Sequence, residues 1–326
     1  MKIKILTLLK ESDSYISGQE LCDKFGVSRT AIWKVINQLK EEGYIIEAVQ
    51  NRGYHLVEYP DLITYNELKS VLTTKWIGQE LHCFDTVDST NTRAKQLADE
   101  GASHGALVVA NMQSGGKGRR GRKWESPAST GIWMTLILKP KMNPSDASML
   151  TLVMALAVSK ACNEITKSNC FIKWPNDIVL NNKKICGILT EMSAEMDYIN
   201  HIVIGVGINA NTDTFPEELL EKATSIKIEN NEKIVRAQLI NRIMLHYEEE
   251  YKLFVENKDL TKQIDTYNDL LINRNKEVVV LEPSNDYSGI ARGINGKGEL
   301  LVEKMDGELV RVFAGEVSVR GIYGYV

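Results

Sequence analysis

Between Ser114 and Lys123 the chain reads SGGKGRRGRK. Glycines stand at 115, 116, 118 and 121 and cations at 117, 119, 120, 122 and 123, with no acid and no apolar side chain. Such a run has nothing to bury and its like charges repel, so neither a core helix nor a core strand can contain it. It has to be a loop. The segments on either side, Leu107–Met112 and Ile132–Leu138, are apolar and β-like, so the loop joins two strands of a buried sheet. Glycine lets backbone N–H groups converge on an anion, and arginine forks grip phosphate with two parallel bonds. The segment is therefore expected to be mobile until an anion orders it and then to close over a phosphate. A solvated basic loop or an RNA-binding tract is the plainer alternative. A P-loop does not fit. Gly116 and Gly121 have the right spacing, but Arg122-Lys123 follows where Lys-Ser/Thr is needed, and a strand follows where a helix is needed.

The other segments organise around this loop. Residues 1–60 read as helix, short helix, glycine-containing turn, longer helix and hairpin, which is a winged helix-turn-helix. Ser28 caps the longer helix, Gly43 ends it, and Arg52 stands at the tip of the wing. Cations and acids balance over these sixty residues. The longer helix nonetheless carries Arg29, Lys34 and Lys40 with no acid between Ser28 and Lys40, so Ser28, Arg29, Thr30, Lys34 and Arg52 are the candidate DNA contacts. A connecting helix is expected over 64–73. The block 61–274 alternates strands and helices irregularly, which predicts an α+β domain with a mixed sheet and helices on one face. From 275 to 326, short β-like runs separated by turn signals predict a small SH3-like antiparallel barrel.

The net charge of −4 advertises neither nucleic acid nor membrane, so a DNA partner has to be held by a local patch and no membrane partner is expected. Five scattered cysteines without a CxxC pair argue against a disulfide framework or a zinc site and for the reducing cytoplasm, and no signal peptide is expected. The longest apolar stretch, Leu150–Val158, reads as a buried helix face.

Four further segments carry candidate chemistry. Lys173-Trp174-Pro175-Asn176-Asp177 ends a strand with a carboxylate beside a lysine, suited to Mg²⁺ or to a cation, or simply to an Asx turn. Lys183-Lys184-Ile185-Cys186-Gly187 places lysines ahead of a glycine inside a strand, either for close approach of a ligand or for edge protection. Gly205-Val206-Gly207-Ile208-Asn209 permits a ring to pack on a strand end. Asp88-Ser89-Thr90-Asn91 precedes a helix, as a cap or as a ligand contact.

Taken in order, DSTN, Q-x-x-G-K-G-R-x-x-R-x-W, KWPND, KK-x-x-G-I-L-x-E and G-x-G-I-N resemble the ligand-binding segments of the biotin–protein ligases. With its winged helix the chain is similar to the bifunctional class that is both ligase and repressor of a biotin operon. The resemblance implies a catalytic domain related to class II synthetases and lipoate ligases. It implies that Ser89, Thr90, Asn91 and Gln113 line the biotin ring site, and that Lys117, Gly118, Arg119 and Lys184 meet the biotin carboxylate and the adenylate phosphate. Arg119, Lys184 and Lys117 are then the catalytic cations. It also implies that Arg122 and Trp124 close over the adenylate with Trp124 as a lid, that Gly187, Gly205 and Asn209 border it, that Asp177 lies near ATP and its Mg²⁺, and that Arg320 reaches back to the nucleotide. Position 117 usually carries arginine in the family; lysine keeps the charge and gives up the planar fork. The implied partners are biotin, a biotin carboxyl carrier protein, operator DNA and a second copy of the chain, a homodimer formed on adenylate binding. Two other readings stay open at this point, a winged-helix repressor that senses a small effector without ligase activity, and a lipoate–protein ligase.

Overall fold

The computed structural model describes residues 1–281, 286–314 and 318–321, apart from the side chains of 318 and 320. The chain divides into two compact units, Met1–Leu72 and Thr73–Val326.

In the first unit α1 (Lys2–Glu11), α2 (Gly18–Phe25) and α3 (Arg29–Glu41) precede a hairpin of β1 (Ile45–Val49) and β2 (Gly53–Glu58). Ser17 and Ser28 cap α2 and α3 by accepting from the N–H groups of Glu20 and Ala31. Ile5, Leu6 and Leu9 of α1 pack with Leu21 and with Ile32, Val35, Ile36 and Leu39 of α3, one stripe per helix, as the 3.6-residue period requires. The wing is tied back by paired main-chain bonds of 2.9 Å between Ile16 and Tyr54. Gly53 makes this possible. Its φ is +111°, and a Cβ there would stand 2.0 Å from the Ile16 carbonyl oxygen.

The unit does not stop at residue 60. Helix α4 (Tyr65–Val71), capped by Thr64, buries Glu67 completely. That carboxylate receives Lys10 from α1 and the hydroxyl of Tyr44, and Lys10 also reaches Ser70 Oγ at 3.1 Å. A fully buried carboxylate without partners would be costly, so this cluster fastens α4 to the helices before it.

The second unit is built on a seven-stranded sheet of order β3-β4-β5-β9-β8-β7-β6. The strands are β3 (Leu81–Val87), β4 (Leu107–Gln113), β5 (Ile132–Leu138), β6 (Phe171–Lys173), β7 (Asp177–Leu180), β8 (Lys183–Ala194) and β9 (Ile199–Ile208). Only β3 and β4 pair in parallel, so the sheet is mixed. The helices lie on both of its faces, which corrects the one-sided arrangement expected from sequence. Ala94, Leu97 and Ala98 of α5 (Thr90–Asp99) pack on Val108, Ile137 and Val203. Thr151 of α6 (Met149–Thr166) bonds Thr190, whose side chain points the other way along β8. Strand-order irregularity in the sequence does not report which face a helix takes; the strands themselves are apolar on both sides.

Residues 144–166, which include α6, are long and apolar enough by composition to cross a membrane, but 67% of that window is buried within the unit. After the short α7 (Ile226–Asn230), α8 (Arg236–Asn257) covers α6, and α9 (Ile264–Leu270) leads to the C-terminal sheet. That sheet is antiparallel, with five strands in the order β13-β12-β11-β10-β14. They are β10 (Glu277–Leu281), β11 (Tyr287–Ile294), β12 (Leu300–Glu303), β13 (Leu309–Val312) and β14 (Ser318–Gly321).

Candidate functional site

The site lies on the face of the large sheet that α5 covers, where β8 and β9 present glycines instead of side chains. Gly187 and Gly207 are cross-strand partners, and Gly205 follows on the same face of β9. The room they leave is occupied. A Cβ on Gly205 would meet Asn91 Oδ1 at 2.1 Å, one on Gly207 would meet Trp124 Nε1 at 2.6 Å, and one on Gly187 would meet Trp124 Cζ3 at 3.0 Å. Gly205 thus admits the side chain of Asn91, and the Gly187–Gly207 pair forms a floor under the indole of Trp124. In sequence these glycines read as a bed for a ligand ring. In the structure they are a bed for the protein's own ring.

Asn91 is held on every side. Its Oδ1 accepts from Thr135 Oγ1 at 2.7 Å, and its Nδ2 donates to the Leu189 carbonyl at 3.1 Å and to Glu191 Oε2 at 2.8 Å. Burial pushes the Glu191 carboxyl up, but Lys95 and Asn91 outweigh it and hold it below the usual carboxylate range. Thr90 begins α5, and its N–H and hydroxyl both donate to Gln113 Oε1, at 2.8 and 3.0 Å. Ser89 makes no capping bond of its own; Gln113, reaching over from β4, satisfies that helix end instead. Gln113 Nε2 in turn donates to Ser126 Oγ at 2.8 Å.

The glycine–arginine run folds back on itself. Gly115 N bonds the Asp88 carbonyl, Trp124 N bonds Gly116 O at 2.9 Å, and Gly118 N bonds Arg122 O at 2.7 Å, so the run doubles back as a small hairpin. Trp124, the first apolar residue after the run, supplies the packing that the run itself lacks. Arg119 is drawn inward. Its Nη1 donates to Asn176 Oδ1 at 2.8 Å, and burial lowers the guanidinium pKa while Asp177 opposes that shift. Lys184 pairs with Asp177 at 2.6 Å and sits 5.1 Å from the Trp124 ring centroid. Lys117 Nζ reaches Thr92 Oγ1 at 3.2 Å, and Arg122 lies exposed on the outer turn.

These groups enclose a cavity walled by Ser89, Thr90, Asn91, Gln113, Lys117, Gly118, Arg119, Trp124, Lys184, Gly187 and Gly205, and by Asn176 and Gly207, which the sequence reading did not single out as site residues. Its free volume is about 50 Å³, far below the ~300–1,000 Å³ of typical small-molecule sites. Trp124 is what fills it. Asp177 stands behind Lys184. Asn209 is buried away from the cavity. Its N–H bonds Ile185 O and its Nδ2 bonds Thr224 O, while Thr224 N bonds Lys184 O, so it braces the segment that carries Lys184. Thr135, Ser126, Asn176 and Glu191 were missed as site residues. Of these Asn176, in the turn KWPND, and Glu191, the last residue of KK-x-x-G-I-L-x-E, had a signal in the sequence. Among the described residues no cluster of three or more His, Cys, Asp or Glu is placed to hold a metal ion. The Arg320 side chain lies outside the described residues.

A second groove of about 320 Å³ adjoins the cavity and shares Arg119, Asn176, Ile188 and Leu189 with it; Met192 and Phe313 line its far side. Along this groove β8 has a free edge. Strand β7 pairs with it only as far as Asp177↔Gly187, and the side of β8 away from β9 has no strand partner from 189 to 194 among the described residues.

In the first unit the outward face of α3 exposes Arg29, Thr30, Lys34 and also Trp33, which is 56% exposed and which the sequence reading passed over. Arg29 Nη2 reaches Gln19 Oε1 at 2.9 Å, Ser28 is spent on its cap, and Arg52 stands exposed at the hairpin turn.

Comparison with known proteins gives three family matches. They are the Biotin/lipoate A/B protein ligase family over residues 83–209, an HTH domain over 2–55, and the Biotin protein ligase C terminal domain over 275–320. The chain is 38% identical to the bifunctional ligase/repressor BirA of Bacillus spizizenii over 97% of both chains. It is 29% identical to that of Escherichia coli over 98% of this chain and 97% of that one. Its fold is similar to a biotin protein ligase from Aquifex aeolicus in complex with biotin and ATP. The TM-score is 0.66 at 30% identity, covering 74% of this chain and 99% of that one.

Proposed function

We propose, from the premise that this chain belongs to the family of bifunctional ligase/repressors, that it is an ATP-dependent biotin–protein ligase and a DNA-binding repressor in one polypeptide. The observation that carries the ligase half is the juxtaposition of Arg119, Lys184 and Lys117 with the Asn91–Thr90–Gln113 network around one glycine-floored cavity. A repressor that only sensed a small effector would have no need of three cations at one end of a polar ring pocket.

Ser89, Thr90, Asn91 and Gln113 hold the ureido ring, whose N–H and C=O groups match their donors and acceptors. The carboxylate then lies toward Lys117, Gly118, Arg119 and Lys184. In the first step that carboxylate attacks the α-phosphorus of ATP, forming the acyl–phosphate bond as pyrophosphate leaves. Both reactants are anions, so the work falls to fixed positive charge: Arg119 and Lys184 stabilise the equatorial oxygens as charge builds, and Lys117 assists. The biotin carboxyl is already ionised, so this step needs no general base. Trp124 leaves its floor to make room and then, with Arg122 on the turn above, covers the adenylate and excludes water. Mg²⁺ enters as the ATP complex. A single carboxylate, Asp177, is at hand for it, in keeping with an ion held mainly by substrate phosphates. In the second step a neutral lysine amine of a biotin carboxyl carrier protein attacks the acyl carbon and AMP leaves. The groove beside Arg119 and Asn176 is the route by which that lysine enters.

The free edge of β8 supports the regulatory half. Its unpaired main-chain groups favour alignment with a strand of a second copy, and ordering of the neighbouring loop by adenylate would promote that homodimer. Two copies then present two α3 helices to two operator half-sites, with Arg29, Thr30, Lys34 and Arg52 at the DNA. Mass spectrometry after incubation with biotin and Mg-ATP tests the ligase. Biotinyl-adenylate alone, and a biotinylated lysine when a carrier domain is added, are expected, with lipoate failing to compete. Absence of adenylate, or equal use of lipoate, overturns the reading.

A further inference from the structure

Resting on the reading above, in which Arg119 grips the adenylate phosphate, we infer that Trp174 is a positioning residue that ties Arg119 to the C-terminal sheet. Trp174 is buried at the end of β6, and its indole Nε1 donates to the Gly298 carbonyl at 3.0 Å. Gly298 lies in the β11–β12 turn, far along the chain from the cavity. That turn is itself seated against the catalytic core: Gly296 O accepts from Leu260 N at 2.8 Å, and Lys297 pairs with Asp146 at 3.5 Å. Gly298 has φ +76°, and a Cβ there would stand 2.9 Å from Leu152 of α6, so the turn is fitted closely and its carbonyl is a fixed acceptor.

From Trp174 the connection runs through Pro175 to Asn176. Asn176 is pinned to β8 by paired bonds, Ile188 N to its carbonyl at 2.9 Å and its Nδ2 to the Ile188 carbonyl at 3.1 Å. Its other side-chain polar atom, Oδ1, accepts from Arg119 Nη1 at 2.8 Å. An arginine in a glycine-rich hairpin has many rotamers; a fixed acceptor selects one and lowers the entropy of gripping phosphate. The C-terminal sheet thereby acts on the nucleotide step without lining the cavity at this turn.

Biotin-dependent ATP–pyrophosphate exchange in the full-length chain tests this in four proteins: wild type, Trp174→Phe, Arg119→Ala and the double variant. Phenylalanine keeps one six-membered aromatic ring and deletes the indole N–H together with the pyrrole half that carries it. It is expected to raise the ATP concentration for half-maximal exchange about tenfold, the effect of leaving one buried carbonyl without its donor, and to leave the biotin dependence unchanged. In the Arg119→Ala background the same change should add little, because the tie then has nothing to position. Amide exchange at Ile188 gives a second readout and should quicken in Trp174→Phe. Wild-type ATP dependence and wild-type Ile188 protection in Trp174→Phe, or full additivity with Arg119→Ala, overturns the inference. An Arg119→Ala protein with normal ATP use would instead overturn the reading on which it rests.

Discussion

Gly205→Ala isolates the biotin end of the cavity with one methyl group. No unusual backbone angle is involved, so the effect comes from contact alone. The new Cβ would stand 2.1 Å from Asn91 Oδ1, 2.8 Å from Cγ and 3.0 Å from Nδ2. Asn91 would have to retreat by more than an ångström, and its bonds to Thr135, Leu189 and Glu191, now 2.7, 3.1 and 2.8 Å, cannot all survive. Two neutral hydrogen bonds and one to a carboxylate are together worth about 3 kcal/mol, which is on the order of a 100-fold loss in biotin affinity. Gly207→Ala, two residues along the same face, is the control, since its Cβ would strike Trp124 at 2.6 Å and leave Asn91 untouched. Pyrophosphate exchange titrated separately with biotin and with ATP reads both. Gly205→Ala should shift the biotin curve, and Gly207→Ala should alter loop closure and the ATP curve. A normal biotin curve in Gly205→Ala, or equal shifts of it in both variants, would show that Asn91 does not define the ring site.

Arg119→Gly removes the inward guanidinium bonded to Asn176, and adenylate should escape about ten- to a hundredfold faster and label bystander lysines; unchanged retention in a dilution-release assay contradicts this. For DNA, Arg29→Ala, Lys34→Ala and Arg52→Ala should each flatten the slope of log affinity against log salt by about 0.9 in gel-shift titrations with biotin and ATP present, and slopes equal to wild type would remove those residues from the phosphate contacts. Acid sensitivity should appear at His104, whose ring stacks on Trp76 at 4.8 Å and whose Nδ1 accepts from Lys139 N at 3.0 Å, with burial lowering its pKa. Because the unfolded imidazole takes up its proton first, this contribution is fully present above about pH 6.5 and is lost as the pH falls through the lowered folded value. His104→Asn should therefore show a shallower fall in melting temperature below that pH, and identical pH profiles would refute the assignment.

Much of this was legible in the sequence because the strands of the large sheet are rich in apolar residues, and β7 and β9 stop at Asn181 and Asn209. Likewise Ser28, Gly43 and Arg52 marked the winged helix in a way that propensity alone would not. What stayed hidden depends on pairings between distant residues. Thr135 and Ser126 look like ordinary strand and loop residues; only the register of β4, β5 and β9 brings them to Asn91 and Gln113. The contact of Gly205 with Asn91 was hidden for the same reason, since nothing in GVGIN says that Asn91 packs against it. The glycine–arginine run looked unable to pack because its own composition forbids it. The packing came from Trp124 just beyond its end and from a glycine pair on two other strands. The connecting helix expected over 64–73 is α4, but nothing in its sequence showed that Glu67, a charged residue, is its buried anchor.

A crystal structure with biotinyl-5'-AMP tests the central claim most directly. The ureido ring is expected among Ser89, Thr90, Asn91 and Gln113, the phosphate against Arg119 and Lys184, and Trp124 lifted off Gly187 and Gly207 to cover the nucleotide. Adenylate bound elsewhere, or bound while the indole still lies on the glycine pair, would contradict it.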